Sequence, residues 1–249
     1  MTMHSDWSLL PGEEDPGYHW WAKNGNWGWG EIYLALCYCH QKRCVIDVGA
    51  AYGAATRIYA KNFDQVIAIE MNQKLIPHLI ENTSEFKNVK YYNWAISNFI
   101  GSANFADYKW SGLCSLKTEK LYRDRKFVKT VTRVNKLNSF LTKTSINDVY
   151  GRVNDLLPVD LIKIDVEGAE NEVILGGVEL IKKYKPTIQI EIHGRLKESP
   201  AYQFLYDNDY SLMFAERRDY FFQHKENILD HKYSMLWSKV PESEHNNGR

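Results

Sequence analysis

The sequence predicts an α/β fold: a doubly wound, mostly parallel seven-stranded sheet with a C-terminal antiparallel hairpin. Three observations support this prediction. Short apolar runs typical of buried strands alternate with longer runs typical of helices. The first of the short runs, Cys44–Val48, leads through a glycine turn directly into a predicted helix. Two further runs near the C-terminus have no long helix between them, which favours antiparallel pairing.

The first half of the predicted sheet alternates regularly between strands and helices. Pro77 lies within one predicted helix and must either lie near its first turn or bend it, because proline has no backbone N–H. The predicted elements are helix Glu31–His40, strand Cys44–Val48, a helix from Ala54, strand Gln65–Glu70, a helix from Asn72 to Phe86 and strand Val89–Asn93.

The middle of the chain departs from this alternation. Short runs of alternating polarity there predict antiparallel strands that leave the main sheet. These runs are Ser102–Tyr108, Gly112–Leu116 and Thr130–Val134, and a short helix is predicted over Leu137–Leu141.

The second half returns to alternation, with strand Pro158–Asp165, helix Gly168–Tyr184, strand Pro186–Ile192 and a helix around Pro200–Asn208. The pair Gly176-Gly177 weakens the first of these helices and is expected to split it. The hairpin is predicted from Tyr210–Ala215 and Tyr233–Val240, with the aromatic residues Tyr220–Phe222 in the loop between them.

Composition suggests how the chain is organised. Residues 1–30 form an irregular arm rich in Trp and Gly, and residues 31–249 are predicted to form a single domain. The large rings of the arm either plug one end of the sheet or form a wall over a ligand, and the sequence leaves both open.

Charge and hydropathy indicate the kind of partner. Lys plus Arg and Asp plus Glu both total 31, so net charge gives no sign of a nucleic-acid or membrane partner. The sequence contains no uninterrupted apolar run long enough to predict a transmembrane helix, and its polar start does not resemble a signal peptide. We therefore expect a cytoplasmic protein that acts on a small molecule. The oligomeric state is not indicated.

The turn after Cys44–Val48 predicts a nucleotide-like ligand, because such a turn directs backbone N–H groups into a crevice. The phosphate-binding string GxxxxGK[ST] does not occur in the sequence. In the dinucleotide motif GxGxxG the middle glycine lets the backbone approach a pyrophosphate, and here Ala51 holds that position. A cofactor without phosphate, S-adenosylmethionine, is therefore favoured over NAD.

Five of the predicted cofactor residues have an assigned task. Asp47 orients the turn and meets the ligand's ammonium group, and Gly49 leaves room for its amino-acid part. Glu70, at the end of the second strand, accepts the ribose hydroxyls. Asn93 and Ala95 flank the adenine ring, and Ser115 faces the same cleft. The full predicted cofactor set is Asp47, Gly49, Ala50, Tyr52, Gly53, Glu70, Asn93 and Ala95.

The sequence also resembles the FkbM-type S-adenosylmethionine-dependent methyltransferases. The most specific match is the string Lys-Ile-Asp-Val-Glu-Gly at residues 163–168. The resemblance implies methylation of hydroxyl oxygens, often on sugars or other small metabolites. The arm and the region after His193 match no family pattern, so we expect them to determine the choice of acceptor. The matching segments are Val45–Gly53, Asn93–Ser97 with Gly101, Gly112–Leu116, Val159–Glu170, Gly176 and Pro186–His193.

Transfer to a hydroxyl needs a base at the C-terminal strand ends. Asp165, Glu167 and His193 meet that condition, and His193 has the ordinary pKa of a base near neutrality. The two acids also precede a helix, where acids are favoured without any catalytic role. Lys163 is expected to pair with Asp165 and keep it ionised. No metal site is assigned, although Asp165, Glu167 and His193 offer an alternative set of ligands for magnesium or manganese.

These patterns predict an S-adenosylmethionine-dependent O-methyltransferase that acts on a sugar or another small hydroxylated metabolite. Two alternatives remain open. One is a non-catalytic protein of the same fold that binds a partner through its aromatic arm. The other is an NAD-dependent oxidoreductase, which Ala51 disfavours.

Overall fold

The main sheet is built from short runs rich in Val and Ile, whose branched side chains pack well on a pleated surface. In the computed structural model, residues 7–9, 11, 29–108, 114–117, 127–141 and 156–228 are described. The strands are β1 (Cys44–Val48), β2 (Gln65–Ile69), β3 (Val89–Tyr92), β4 (Ala95–Ile96), β5 (Gly101–Tyr108), β6 (Phe127–Asn135), β7 (Val159–Ile164), β8 (Thr187–Glu191), β9 (Tyr210–Glu216) and β10 (Asp219–His224).

Seven of these strands form the main sheet, in the order β3-β2-β1-β7-β8-β10-β9. The first five are parallel, and β10 runs antiparallel to both β8 and β9. The predicted fold class, with a C-terminal hairpin, is confirmed. Because the order reverses between β1 and β7, their C-terminal ends are the expected place for a ligand.

Helices cover both faces of this sheet. Along β1, Ile46 and Val48 face the layer that contains α4 to α6, whereas Val45 faces the layer of α1 to α3. This alternation is the period of two that a strand imposes on its side chains. The helices are α1 (Trp29–Tyr38), α2 (Ala54–Ala60), α3 (Ile76–Thr83), α4 (Glu170–Gly176), α5 (Val178–Tyr184) and α6 (Pro200–Asp207), with 3-10 turns at Leu137–Leu141, Leu196–Glu198 and Lys225–Asn227.

A second, three-stranded sheet has the order β4-β6-β5. β5 and β6 pair antiparallel over their length, as the alternating polarity of the middle section predicts. Of the predicted strand Gly112–Leu116, the described part makes an isolated bridge through Ser115 to Ala106. Ser115 is thereby placed between β5 and the loop after β7.

Two predicted boundaries are wrong. The second hairpin strand is β10, so Tyr220–Phe222 lie in a buried strand and not in a loop; Tyr233–Val240 lies outside the described residues. α3 begins at Ile76 and not at Asn72, because the preceding residues form a turn closed by the Leu75 N–H. Pro77 nonetheless lies in its first turn, which is one of the two predicted alternatives.

The predicted split at Gly176-Gly177 is present, since α4 ends at Gly176 and α5 begins at Val178. The Trp/Gly-rich arm lies outside the described residues apart from a few positions, so the prediction that residues 1–30 and 31–249 are distinct units stays a prediction. Among the helices in the described ranges, none reaches the length and apolarity that crossing a bilayer requires.

Candidate active site

The turn after β1 interlocks with the loop after β7. Gly49 has φ +83°, and a Cβ on it would lie 1.8 Å from the backbone carbonyl oxygen of Asp165. Gly53 has φ +90°, and a Cβ there would lie 2.8 Å from Cδ1 of Leu79 in α3. Position 49 therefore requires glycine because another part of the protein backbone fills the space beside it. The sequence-based expectation was that this space receives the ligand's amino-acid part.

The backbone N–H groups of the turn are already hydrogen-bonded. Gly49 and Ala50 both donate to the last carbonyl of β2 at 3.0 Å, and Gly53 donates to the Ala50 carbonyl at 2.8 Å. Ala51 donates to Glu70 Oε2 at 2.9 Å. These four groups do not converge on an open crevice as predicted. A pyrophosphate needs free N–H donors at such a turn, so this arrangement disfavours a dinucleotide.

Glu70 lies directly after β2, beside this turn. Its buried carboxylate accepts from Ala51 N–H through Oε2 and from Asn72 N–H through Oε1, the latter at 2.8 Å. Burial raises the pKa of Glu70, and these two donors partly offset that rise. A carboxylate oxygen can accept more than one hydrogen bond. Glu70 therefore keeps the capacity to accept ribose hydroxyls, the task predicted for it.

Asp47 and Lys163 are cross-strand neighbours on β1 and β7. Lys163 Nζ lies 3.4 Å from both Asp47 Oδ1 and Asp165 Oδ2, and donates to the Gly49 carbonyl at 2.9 Å. Thr56 Oγ1 donates to Asp47 Oδ2 at 2.6 Å. Burial alone would lower the pKa of Lys163, but Asp165 and Asp47 raise it above its ordinary value.

Asp47 is a buried member of this network. Its side chain has no exposed surface, so its carboxylate anchors the turn through Lys163 and Thr56. The predicted contact of Asp47 with a ligand ammonium group stays a prediction. The predicted pairing of Lys163 with Asp165 is present.

Three other predicted cofactor residues occupy different environments. Asn93 Nδ2 donates to the carbonyls of Glu70 at 2.9 Å and Met71 at 3.1 Å, which ties the ends of β2 and β3 together. Ala95 is buried at the start of β4, and the Tyr52 ring is buried against Leu75. Direct contact of these residues with a cofactor stays a prediction.

A buried polar cluster beside Glu70 was not anticipated. Asn72 Nδ2 lies 3.3 Å from Asp107 Oδ1 and 3.4 Å from Cys114 Sγ. Lys74 Nζ contacts Asp107 Oδ2 at 2.6 Å. The sequence presented Asn72 only as the start of a predicted helix. Asp107 of β5 and Cys114, which follows β5 in the chain, reach Asn72 through packing that is not encoded locally.

Glu167 and His193 meet beyond the ends of β7 and β8. His193 Nε2 lies 3.4 Å from Glu167 Oε2 and 3.4 Å from Oε2 of Glu191, the last residue of β8. Ser115 Oγ donates to the Glu167 carbonyl at 2.5 Å and so fixes the loop. Glu191 was missed because the sequence predicts a strand over Pro186–Ile192, which places this acid inside the strand and not at its end. The pattern Glu-x-His, which places both side chains on one face of an extended strand, was the available signal.

The charge of His193 differs from the prediction. Glu167 and Glu191 raise the pKa of His193 to about 10. The ring is therefore protonated at neutral pH and is not the neutral base that its ordinary pKa suggests. Asp165 lies apart from this group, because its carboxylate is paired with Lys163 and its side chain is 45% exposed.

The fold and these strand-end groups define an α/β protein that binds a nucleoside cofactor without a pyrophosphate and carries acids beside it. Comparison with known families identifies it further. Residues 47–228 match the Methyltransferase FkbM domain, and the chain belongs to this family. The resemblance read from the sequence is confirmed, and membership of this family supports methyl transfer as the class of reaction and S-adenosylmethionine as the cofactor. No curated protein matches the chain in sequence.

Several solved structures are similar to this chain at low sequence identity and with TM-scores below 0.5. A methyltransferase FkbM from Methylobacillus flagellatus KT is 15% identical, with a TM-score of 0.45, and the match covers 73% of this chain but only 43% of that one. A candidate methyltransferase from Streptococcus mutans in complex with S-adenosylhomocysteine is 11% identical, with a TM-score of 0.45, and the match covers 77% of this chain and 95% of that chain. A candidate RNA methyltransferase from Pyrococcus horikoshii is 11% identical, with a TM-score of 0.42 and coverage of 78% and 80%.

Proposed function

We propose that the protein is an S-adenosylmethionine-dependent O-methyltransferase that acts on a hydroxyl of a sugar or another small metabolite. The observation that carries the proposal is the direct backbone contact between the turn at Gly49 and the loop at Asp165. This contact places the acids after β7 beside the residues that suit the cofactor. A hydroxyl acceptor held between them would meet both the methyl donor and a proton acceptor.

S-adenosylmethionine, when bound, supplies an electrophilic methyl group on a sulfonium that leaves as a neutral thioether. The protein has two tasks in such a transfer, namely to align the acceptor oxygen and to take its proton. Glu70 binds the ribose in this proposal, and the Asp47–Lys163 pair holds the turn in place.

Asp165 is the proposed proton acceptor. Its carboxylate combines exposure at the strand end with a lysine partner that leaves one face open. Glu167 and His193, which lie together beyond the ends of β7 and β8, are proposed to orient the acceptor. The equal numbers of acidic and basic residues favour a small uncharged acceptor over a nucleic acid.

Cofactor binding can be tested by calorimetric titration with S-adenosylmethionine. Wild type is expected to bind, and Glu70→Gln to bind at least about tenfold more weakly, because a charged acceptor for the ribose is lost. Asp64→Asn is the matched control: this exposed acid lies at the opposite end of β2 and is expected to leave affinity unchanged. An absence of binding by folded wild type at millimolar ligand would refute the proposal. Binding of NADH in its place would support the oxidoreductase.

Turnover can be tested by transfer of a tritiated methyl group to metabolites of a cell extract. Asp165→Asn is expected to lose about a hundredfold in rate while its affinity for the cofactor stays within about threefold. Wild-type rates in this variant would remove Asp165 from the proposed mechanism. Cofactor binding without any labelled product would instead favour the non-catalytic alternative.

A further inference from the structure

Three potential metal ligands converge at the carboxyl ends of β7 and β8. One oxygen each of Glu167 and Glu191 and one ring nitrogen of His193 all lie within 4.8 Å of one another. Glu191 and His193 are two residues apart in extended chain and so share a face. Glu167 reaches the same point from the neighbouring loop, where its φ of +54° turns the chain. Elements far apart in sequence therefore build the cluster.

The electrostatics of the cluster call for a cation at its centre. Two carboxylates approach one imidazole nitrogen, and both side chains are largely withdrawn from water, with exposures of 16% and 22%. His193 Nε2 has no accessible surface and no hydrogen-bond partner of good geometry. Two acids this close repel each other unless a positive charge lies between them, and either a proton or a metal ion can supply that charge.

We propose that Glu167, Glu191 and His193 bind one divalent first-row transition-metal ion. Two carboxylate oxygens and an imidazole nitrogen form a mixed ligand set that suits Mn²⁺, Fe²⁺ or Zn²⁺ better than Mg²⁺ or Ca²⁺, which prefer oxygen alone. Three protein ligands leave coordination positions open, as in catalytic sites and unlike closed structural ones.

The ligand set differs from the one that the sequence offers as an alternative. Asp165 is held by Lys163, and Glu191 takes its place beside Glu167 and His193. Nitrogen ligation through Nε2 requires the proton to reside on Nδ1. The guanidinium of Arg218, now 3.2 Å from Nδ1, is exposed and free to turn away.

The role of the ion rests on the proposed function. An open coordination position next to the loop of Asp165 can hold the acceptor hydroxyl. A bound cation makes that hydroxyl more acidic and fixes its oxygen for attack. Binding itself does not depend on this role and can be measured without cofactor or acceptor.

The test is a titration of chelator-treated protein with Mn²⁺, in which free ion is followed by electron paramagnetic resonance. Wild type is expected to bind one ion per chain. Glu191→Gln and Glu167→Gln are each expected to weaken binding at least about tenfold, since each removes a charged ligand. The exposed Glu198→Gln and the paired Asp165→Asn are expected to bind as wild type does. Circular dichroism establishes that each variant is folded.

Two results would overturn the proposal. One is a failure of folded wild type to bind Mn²⁺ or, in a parallel competition titration, Zn²⁺ at millimolar concentration. The other is an affinity for the ion that falls no further in the two glutamate variants than it does in Asp165→Asn. If S-adenosylmethionine binds but the metal does not, only the metal site fails. If the metal binds but S-adenosylmethionine does not, only the proposed function fails.

Discussion

At the scale of single residues, the site depends on one position where a side chain cannot be accommodated. Gly49 combines a left-handed backbone conformation with direct contact to the Asp165 carbonyl, and its own carbonyl receives Lys163. Gly194 shares the left-handed conformation, but no atom lies within 4 Å of where its Cβ would be. Substitutions at these two glycines therefore distinguish the free-energy cost of backbone strain from that of steric overlap.

We expect Gly49→Ala to destabilise the protein by more than about 3 kcal/mol or to prevent folding, because strain and overlap add. Gly194→Ala is expected to lose only about 1 kcal/mol, from the backbone conformation alone. Urea denaturation of both variants measures the difference. Equal losses of unfolding free energy in the two variants would show that the backbone at Asp165 moves away from the new Cβ at no measurable cost.

The placement of residues at strand ends is predictable where the local sequence alone determines the strand. Glu70 and Asp165 each follow an apolar run, so their placement at the carboxyl edge of the sheet follows from the alternation of elements. The protonation of His193 was not predictable, because it depends on Glu167, which comes from a different loop. The burial of Asp47 likewise depends on Lys163 of another strand.

At the scale of elements, the break between α4 and α5 determines how the helix layer meets the second sheet. A Cβ on Gly176 would lie 2.0 Å from the Ser97 carbonyl oxygen, next to β4, whereas one on Gly177 would meet mainly the flexible end of Leu137 at 2.9 Å. The sequence predicted the break from the glycine pair alone. Its reason, the close approach of another chain segment, comes from the fold.

Gly176→Ala is expected to be less stable than Gly177→Ala by about 1–3 kcal/mol, because a backbone carbonyl yields less readily than a leucine methyl group. Both variants place the same alanine in the same helix junction, so helix propensity contributes nearly equally to each. Thermal unfolding followed by far-ultraviolet circular dichroism compares them. The reverse order of stability would contradict the close contact at Ser97.

The second strand of the C-terminal hairpin is the element that the sequence pattern predicted wrongly. Tyr220–Phe222 is a continuous aromatic run without alternating polarity, a pattern that predicts a loop. In the structure β10 is covered on both faces, and all three rings are buried. A strand buried on both faces loses the period of two, so its pattern cannot be separated from that of an apolar loop.

At the scale of the whole molecule, buried acids make stability depend on pH. Burial raises the pKa of Glu170 to about 7 from its ordinary 4.5. Between these two values the folded protein holds a proton that the unfolded chain has released. The free energy of unfolding therefore falls as pH rises through this window.

Glu170→Gln is expected to remove this part of the pH dependence, which amounts to at most about 3 kcal/mol between pH 4.5 and 7. Denaturation of wild type and variant across that range, with chelator present, measures the difference, and Glu179→Gln on the exposed side of α5 is the control. Burial also raises the pKa of Asp219, to about 7. Asp219 is present in wild type and in both variants, so its contribution to the pH dependence cancels when they are compared. Parallel curves for wild type and Glu170→Gln would contradict the assigned titration.

The contact between Gly49 and the Asp165 carbonyl makes the two halves of the site thermodynamically inseparable. A ligand that tightens the turn after β1 also restricts the loop after β7, so each ligand changes the affinity for the other by the same factor. Departure of either product therefore weakens the binding of the other. Coupled release of the two products is thus expected from a single place where two backbones touch.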